Sequence, residues 1–223
     1  MGCVLMTLQF LQEYFPVLAK GALVSISIAS LGCLLGLILG TIAVIGLLKG
    51  KSFIKVLAYT YINLIRGTPM LIQILFLYFV LPSFNVYIPA FWTAVLAIGL
   101  NSGAYISNII RSGVLAVGKG QQEAAKVLGL SEFQSFRLIV FPQAFRISLP
   151  TLGNEFITLV KDSSLASVIG VLELSKQGEL LMHKTYDAMS SYMLVAVIYL
   201  IMTLSLSVLI LYLEKRLNKH VCR

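Results

Sequence analysis

The chain is patterned as long uncharged runs separated by short charged knots. Residues 21–48 lie between Lys20 and Lys49 without a charge, and residues 188–213 lie the same way between Asp187 and Glu214. A helix needs about 20 mostly apolar residues to cross roughly 30 Å of hydrocarbon, so each run predicts one membrane span. Residues 67–110 are also uncharged but are interrupted by Pro82, Ser83, Asn85 and Pro89, a cluster that reads as a turn at a membrane surface. It divides the run into a helix ending near Leu81 and another from about Pro89 to Ile110. Residues 69–81 are too few to cross alone, so the first of these helices must begin before Arg66. That places Arg66 in or near the membrane, where an arginine snorkels or finds a partner. A last stretch, Pro142 to Val160, is apolar but carries Arg146, Pro150, Asn154 and Glu155, stops at Lys161-Asp162-Ser163-Ser164, and is followed by a second apolar piece, Leu165 to Leu172. It reads as a helix that crosses incompletely and resumes after a polar break. The expected fold is an all-α integral membrane protein with one domain, 1–223. Its five transmembrane helices lie at about 20–48, 55–81, 89–110, 143–161 and 188–213, with a cytoplasmic loop at about 112–142.

Composition supports a lipid-facing surface. Hydrophobic residues make up 58% of the 223, charged residues 12%, and mean hydropathy is +0.92. A soluble domain carries about 25% charged residues to hydrate its surface. The net charge of +8 does not point to nucleic acid here, because basic residues in so apolar a chain set membrane orientation. With the C-terminus inside, the inner segments hold Lys49, Lys51, Lys55, Arg111, Lys119, Lys126, Arg137, Arg146, Lys215, Arg216, Lys219 and Arg223 of the 17 basic residues. The expected topology is therefore N-terminus outside, C-terminus cytoplasmic. Cys3, Cys33 and Cys222 are odd in number and far apart, which gives no disulfide framework or metal spacing. The first positive charge is Lys20, so no basic segment precedes an apolar stretch as in a cleaved signal peptide. Met6 stands where a myristoylation pattern wants Ser or Thr. In the first span, Gly32, Gly36 and Gly40 share a helix face. They serve close packing within this bundle or a seam with a second copy.

The connection Arg111 to Phe141 is the most informative. Gln121 to Leu128 is rich in helix formers, and Gly129 follows where a left-handed helix end is easiest. Ser131 stands three residues before Gln134, the spacing of a capping box. A second helix is predicted from Glu132 to Val140, ending at Pro142, whose ring cannot continue it. The small side chains of Ala124 and Ala125 would let another protein's surface approach closely.

Glu123-Ala124-Ala125, three residues, Gly129, nine residues, Ile139, two residues, Pro142 resembles the EAA loop of ABC-importer permeases; Phe141 departs from the usual Leu by a mild apolar change. Arg66-Gly67-Thr68-Pro69 with Leu71 and Gln73, the segment Asn101 to Arg111, and Lys161-Asp162-Ser163-Ser164-Leu165 with Val168-Ile169-Gly170 are similar, in the same order, to the polar amino-acid branch (histidine, glutamine and arginine type). The resemblance implies a type I ABC importer permease fold and a dimer of permease subunits, homomeric or heteromeric, in the bacterial inner membrane. It also implies an ATP-binding subunit docked on Glu123, Ala124, Ala125, Gly129, Ile139 and Pro142, and a periplasmic or lipid-anchored solute-binding protein. No cofactor is expected on this chain, since ATP belongs to the partner. Gly50-Lys51-Ser52 is not a phosphate loop, because Ile45 stands where the pattern needs Gly.

Transporters bind substrate near the midplane at helices interrupted by polar residues. Thr151, Asn154, Thr158 and Lys161 share one helix face, with Glu155 and Asp162 on the adjoining stripe. A zwitterion needs a cation for its carboxylate and an acid for its ammonium; Lys161 and Asp162 could supply them, with Ser163, Ser164 and Asn101 as neutral partners. Lys161 could instead pair with Asp162 or Glu155 to hold the broken helix. Glu155 is a further candidate for binding substrate; Asn101 and Tyr105, one turn apart, could face the same cavity, as could Gln73, while Asn101 and Gln73 could equally act as glue between helices. The competing function is a stand-alone carrier or channel, which usually shows internal repeats; none is visible. A membrane enzyme is disfavoured, because His183 and His220, the two histidines, fall on opposite sides of the predicted topology.

Overall fold

A computed structural model describes residues 2–218, with side chains for 13–121 and 123–216. The side chain of Cys3, and residues Lys219, His220, Cys222 and Arg223, lie outside what is described. Among the described residues the chain is all helix and turn. The elements are α1 (Gly2–Lys49), α2 (Ser52–Arg66), α3 (Met70–Phe84), α4 (Ala90–Ala116), α5 (Lys119–Val127), α6 (Glu132–Ser135), α7 (Phe141–Asp162), α8 (Leu174–Thr185) and α9 (Ala188–Asn218). A π-helical turn, Phe136–Val140, joins α6 to α7, and a 3-10 segment, Ser163–Ile169, follows α7.

By length and composition α1 (from Glu13), α4 and α9 can each cross a membrane, and the bent pair α2–α3 makes a fourth candidate. The helix α7 is not among these candidates; Arg146, Glu155, Lys161 and Asp162 interrupt its apolar run. The first helix extends well before Lys20, with Pro16 inside it. At 1.5 Å per residue it outreaches the hydrocarbon. Its early part is held by Leu18 and Ala22, which bury against Leu174, Leu181 and Val195 of α8 and α9.

The predicted single helix 55–81 is two helices bent by 104°. Pro69 lacks an N–H and pushes Thr68 out of helical conformation, so α2 stops at Arg66. The orphan carbonyls at its end are met one by one. Gly67 N–H donates to Asn63 O at 2.8 Å, Thr68 Oγ1 to Leu64 O at 2.9 Å, and Gln73 Nε2 to Ile65 O at 2.8 Å. Tyr61 Oη donates to Leu100 O at 2.6 Å and ties α2 to α4.

The glycine stripe of α1 packs within the subunit. Gly32, Gly36 and Gly40 lie against Ile98, Ser102 and Gly103 of α4, and Gly103 O sits 2.9 Å from where a Cβ on Gly40 would stand. The alternative of a seam with a second copy is thereby overturned for these residues: their face is already filled.

Pro142 does not stop the helix that precedes it. The helix begun at Glu132 does not end there; it runs through the π turn into α7. The wider π turn, in which Phe141 N–H donates to Phe136 O, relieves the clash a proline ring makes with the carbonyl four residues before it. On the far side of the molecule Glu173, fully buried, caps α8. Its carboxylate accepts from Lys176 N–H at 2.7 Å, Ser175 N–H at 2.9 Å, Tyr199 Oη at 2.9 Å and Ser25 Oγ at 3.1 Å. One carboxylate thus fastens α8 to α1 and α9. At the start of α9, hydrogen bonds from Ser190 hold the exposed Asp187 carboxyl below its usual range.

Replacing Glu173 with alanine leaves four donors facing each other in a dry site, at roughly 1–3 kcal/mol for each that stays unmet. Glu173→Ala is expected to lower the melting temperature of the detergent-purified protein by about 5 °C or more, with Glu173→Gln intermediate. An unchanged melt for both would contradict this role.

Candidate functional site

The break between α2 and α3 opens onto α4 and α7, and the four segments enclose a cleft of about 510 Å³, within the range of small-molecule sites. It is lined by Arg66, Gly67, Thr68, Pro69 and Met70 from the break, Asn101 and Tyr105 from α4, and Glu155, Thr158 and Asp162 from α7. Asn101 and Tyr105 are one turn apart on α4; Glu155, Thr158 and Asp162 recur at three and four along α7, so each helix turns one polar stripe into the cleft. The Arg66 guanidinium carbon lies 5.4 Å from the Tyr105 ring centroid, a cation–π contact that holds the charge at the cleft wall. The cleft therefore presents one fixed cation, two carboxylates, a phenol, an amide and two threonine hydroxyls.

Of the residues singled out in the sequence for substrate, Asn101, Tyr105, Glu155 and Asp162 line this cleft, and four do not. Gln73 stands behind it. Its Oε1 accepts from Asn101 Nδ2 at 3.0 Å, while its Nε2 donates to Ile65 O, to Thr68 O at 3.1 Å and to Thr68 Oγ1 at 2.8 Å. Gln73 is thus the glue of the break and aims Asn101. Ser163 is fully buried and donates to Val160 O at 2.7 Å, closing the end of α7. Ser164, half-buried in the 3-10 segment, is not part of the lining. Lys161 is exposed, off the lining, and among the described residues forms no salt bridge with Glu155 or Asp162. The cation at the cleft is Arg66, which comes from the other side of the site. The signal for it was present in the sequence as an arginine standing between two uncharged stretches, 56–65 and 67–110, but only the bend at Pro69 shows which way it faces.

The paired helices α5 and α6 form the second site. Gly129 has φ +75°; Leu130 N–H donates to Ala125 O at 3.1 Å and Gly129 N–H to Lys126 O at 3.0 Å, a Schellman closure that needs a left-handed residue at 129. Ser131 and Gln134 make both bonds of the capping box. Glu123 and Ala124 face outward and Ala125 is fully buried. Ala125 therefore lets α5 close on its own partner helix and presents no surface to another protein. Ile139 and Pro142 are half-buried in the π turn and the start of α7. The exposed apolar residues of the pair were not singled out in the sequence: Val127 at 88%, Leu128 at 76% and Phe133 at 66%. A loop exposing three large apolar side chains on ordered helices is built to be covered.

Comparison with known proteins gives the same architecture. The chain is 42% identical over 205 residues to the glutamine transport system permease protein GlnP of Escherichia coli K12, covering 91% of this chain and 94% of that protein. It is 36% identical to the L-cystine transport system permease protein TcyB of Bacillus subtilis, covering 95% and 91%. The solved structure of an amino acid ABC transporter with histidines superposes with a TM-score of 0.89 at 38% identity, over 93% of this chain and 97% of that one. The MetNI methionine ABC transporter in an inward-facing form shares the fold, with a TM-score of 0.74 at 19% identity over the same shares. Residues 32–219 match the family described as binding-protein-dependent transport system inner membrane component, and the chain belongs to that family.

Proposed function

We propose that this chain is the permease subunit that passes a polar amino acid through the cleft at the α2–α3 break, driven by an ATP-binding subunit that docks on α5 and α6. The observation that carries the substrate reading is the charge layout: a cation, Arg66, and two acids, Glu155 and Asp162, around one cavity. Charges at membrane depth are costly and persist where they face a wet cavity or one another. An amino-acid zwitterion matches both signs, its carboxylate on Arg66 and its ammonium on one acid. The second acid, with Thr68, Thr158 and Asn101, then suits a side chain that donates hydrogen bonds, an amide or a guanidinium. The names of the relatives, which transport glutamine and cystine, agree with a zwitterionic substrate.

The chain crosses the membrane five times in this reading: α1, the bent pair α2–α3, α4, α7 with its 3-10 extension, and α9. The N-terminus lies outside and the C-terminus in the cytoplasm, which puts α5 and α6 on the ATP side. Val127, Leu128 and Phe133, with Glu123 and Ala124 beside them, form the face that enters the ATPase, and α6 transmits its movement directly because it is continuous with α7. A second permease copy completes the pathway, and a solute-binding protein delivers substrate at the outer face. The protein hydrolyses nothing itself.

Two experiments test this reading. Asp162→Asn and Glu155→Gln should each lower uptake of the cognate amino acid by roughly ten- to a hundredfold, the cost of losing a charged hydrogen-bond partner. The ATPase subunit should still co-purify; normal uptake by both variants contradicts the cleft assignment. Leu128→Glu should abolish both co-purification of the ATPase and ATP-dependent uptake while the permease still reaches the membrane. Uptake that continues without ATP or the ATPase gene would show a stand-alone carrier instead.

A further inference from the structure

A second cavity, about 340 Å³, lies where the end of α1, the end of α4 and the α5–α6 pair meet. Leu48, Val114, Leu130 and Val140 give it an apolar wall, and Lys49 and Lys126 face it with the acid Glu132. Lys49 terminates the apolar part of α1, so its ammonium stands at the level where hydrocarbon gives way to headgroups. The Lys49 Nζ lies 5.9 Å from the Phe136 ring centroid, which draws the cation over the cavity mouth and not away from the protein. Among the described residues, neither Lys49 nor Lys126 has a carboxylate within salt-bridge distance; Glu132 lies on the lining without pairing either. Two unpaired cations over an apolar recess at a membrane edge make an amphiphile's site. A soluble anion would have no use for the four aliphatic side chains beneath.

The geometry points to a phosphate-bearing headgroup of an anionic phospholipid seated between Lys49 and Lys126, with its glycerol and upper acyl carbons against Leu48, Val114, Leu130 and Val140. Basic recesses between membrane helices recognise such headgroups. Its position ties the fixed end of α1 to the α5–α6 pair, so the lipid braces that pair at the membrane surface. The site rests on α1 and α4 crossing the bilayer, and it stands whichever amino acid the central cleft takes.

Native mass spectrometry of the full permease, purified from phosphatidylglycerol–phosphatidylcholine nanodiscs, tests it. The wild type should retain a phosphatidylglycerol molecule under activation that strips phosphatidylcholine. Lys49→Gln and Lys126→Gln, both at exposed positions, should each lower that retention about fivefold, while Glu132→Gln should raise it. Retention unchanged in the Lys49→Gln/Lys126→Gln double variant overturns the site. So does protection against thermal unfolding by millimolar inorganic phosphate in delipidated detergent, because a free anion would then be the ligand. A Leu128→Glu variant, defective in ATPase docking, should hold the lipid as the wild type does, which separates failure of this site from failure of the transport reading.

Discussion

The structure depends on how the chain closes the break between α2 and α3. Pro69 ends α2 and frees carbonyls that must find other donors. Gly67 N–H, the Thr68 hydroxyl and the Gln73 amide each take one of the carbonyls at the end of α2. With those bonds made, the chain bends by 104° and still holds a fixed shape. Arg66, the last residue of α2, is thereby delivered to the cleft and pressed against Tyr105. The amide that seals the break also reaches Asn101, so the backbone turn and the cleft's polar wall are set by one side chain.

Around this break the other helices supply rigidity. The face of α1 bearing Gly32, Gly36 and Gly40 brings its backbone against α4, a close approach that larger residues would forbid. The buried Glu173 carboxylate then fastens α8 to α1 and α9. These contacts position Asn101 and Tyr105 on one wall and leave α7 as the wall that carries the acids. Phe133 lies on the same continuous helical run, α6 through the π turn into α7, as Glu155 and Asp162. This run is the path along which the proposed coupling would act.

Much of this architecture could be read from residue order. Uncharged runs gave α1, α4 and α9, because apolar length is a sufficient signal for a helix in lipid. Gly129 and the Ser131–Gln134 pair gave the bend between α5 and α6, because their chemistry is local. The failures share a cause. Pro69 and Pro142 are both helix breakers by propensity, yet one produces a sharp bend and the other is absorbed by a π turn; which happens depends on the neighbours that accept the freed carbonyls. Lys161 and Arg66 are both lone cations beside polar residues, and no one-dimensional pattern shows that one faces away and the other into the cleft. Gln73 and Ser163 carry polar atoms that could have met a ligand, but Gln73 is taken up by Ile65 O, Thr68 and Asn101, and Ser163 by Val160 O. Ala125 has the small side chain of a docking surface and uses it to pack inward.

Arg66 is the cation proposed to meet the substrate carboxylate. Equilibrium binding of the cognate amino acid to the detergent-purified permease–ATPase complex, compared between Arg66→Gln and Lys161→Gln, tests this most directly. Arg66→Gln should weaken binding by roughly tenfold or more, and Lys161→Gln should bind as the wild type does. Full binding by Arg66→Gln together with loss in Lys161→Gln would contradict the cleft geometry and return the cation's role to the end of α7.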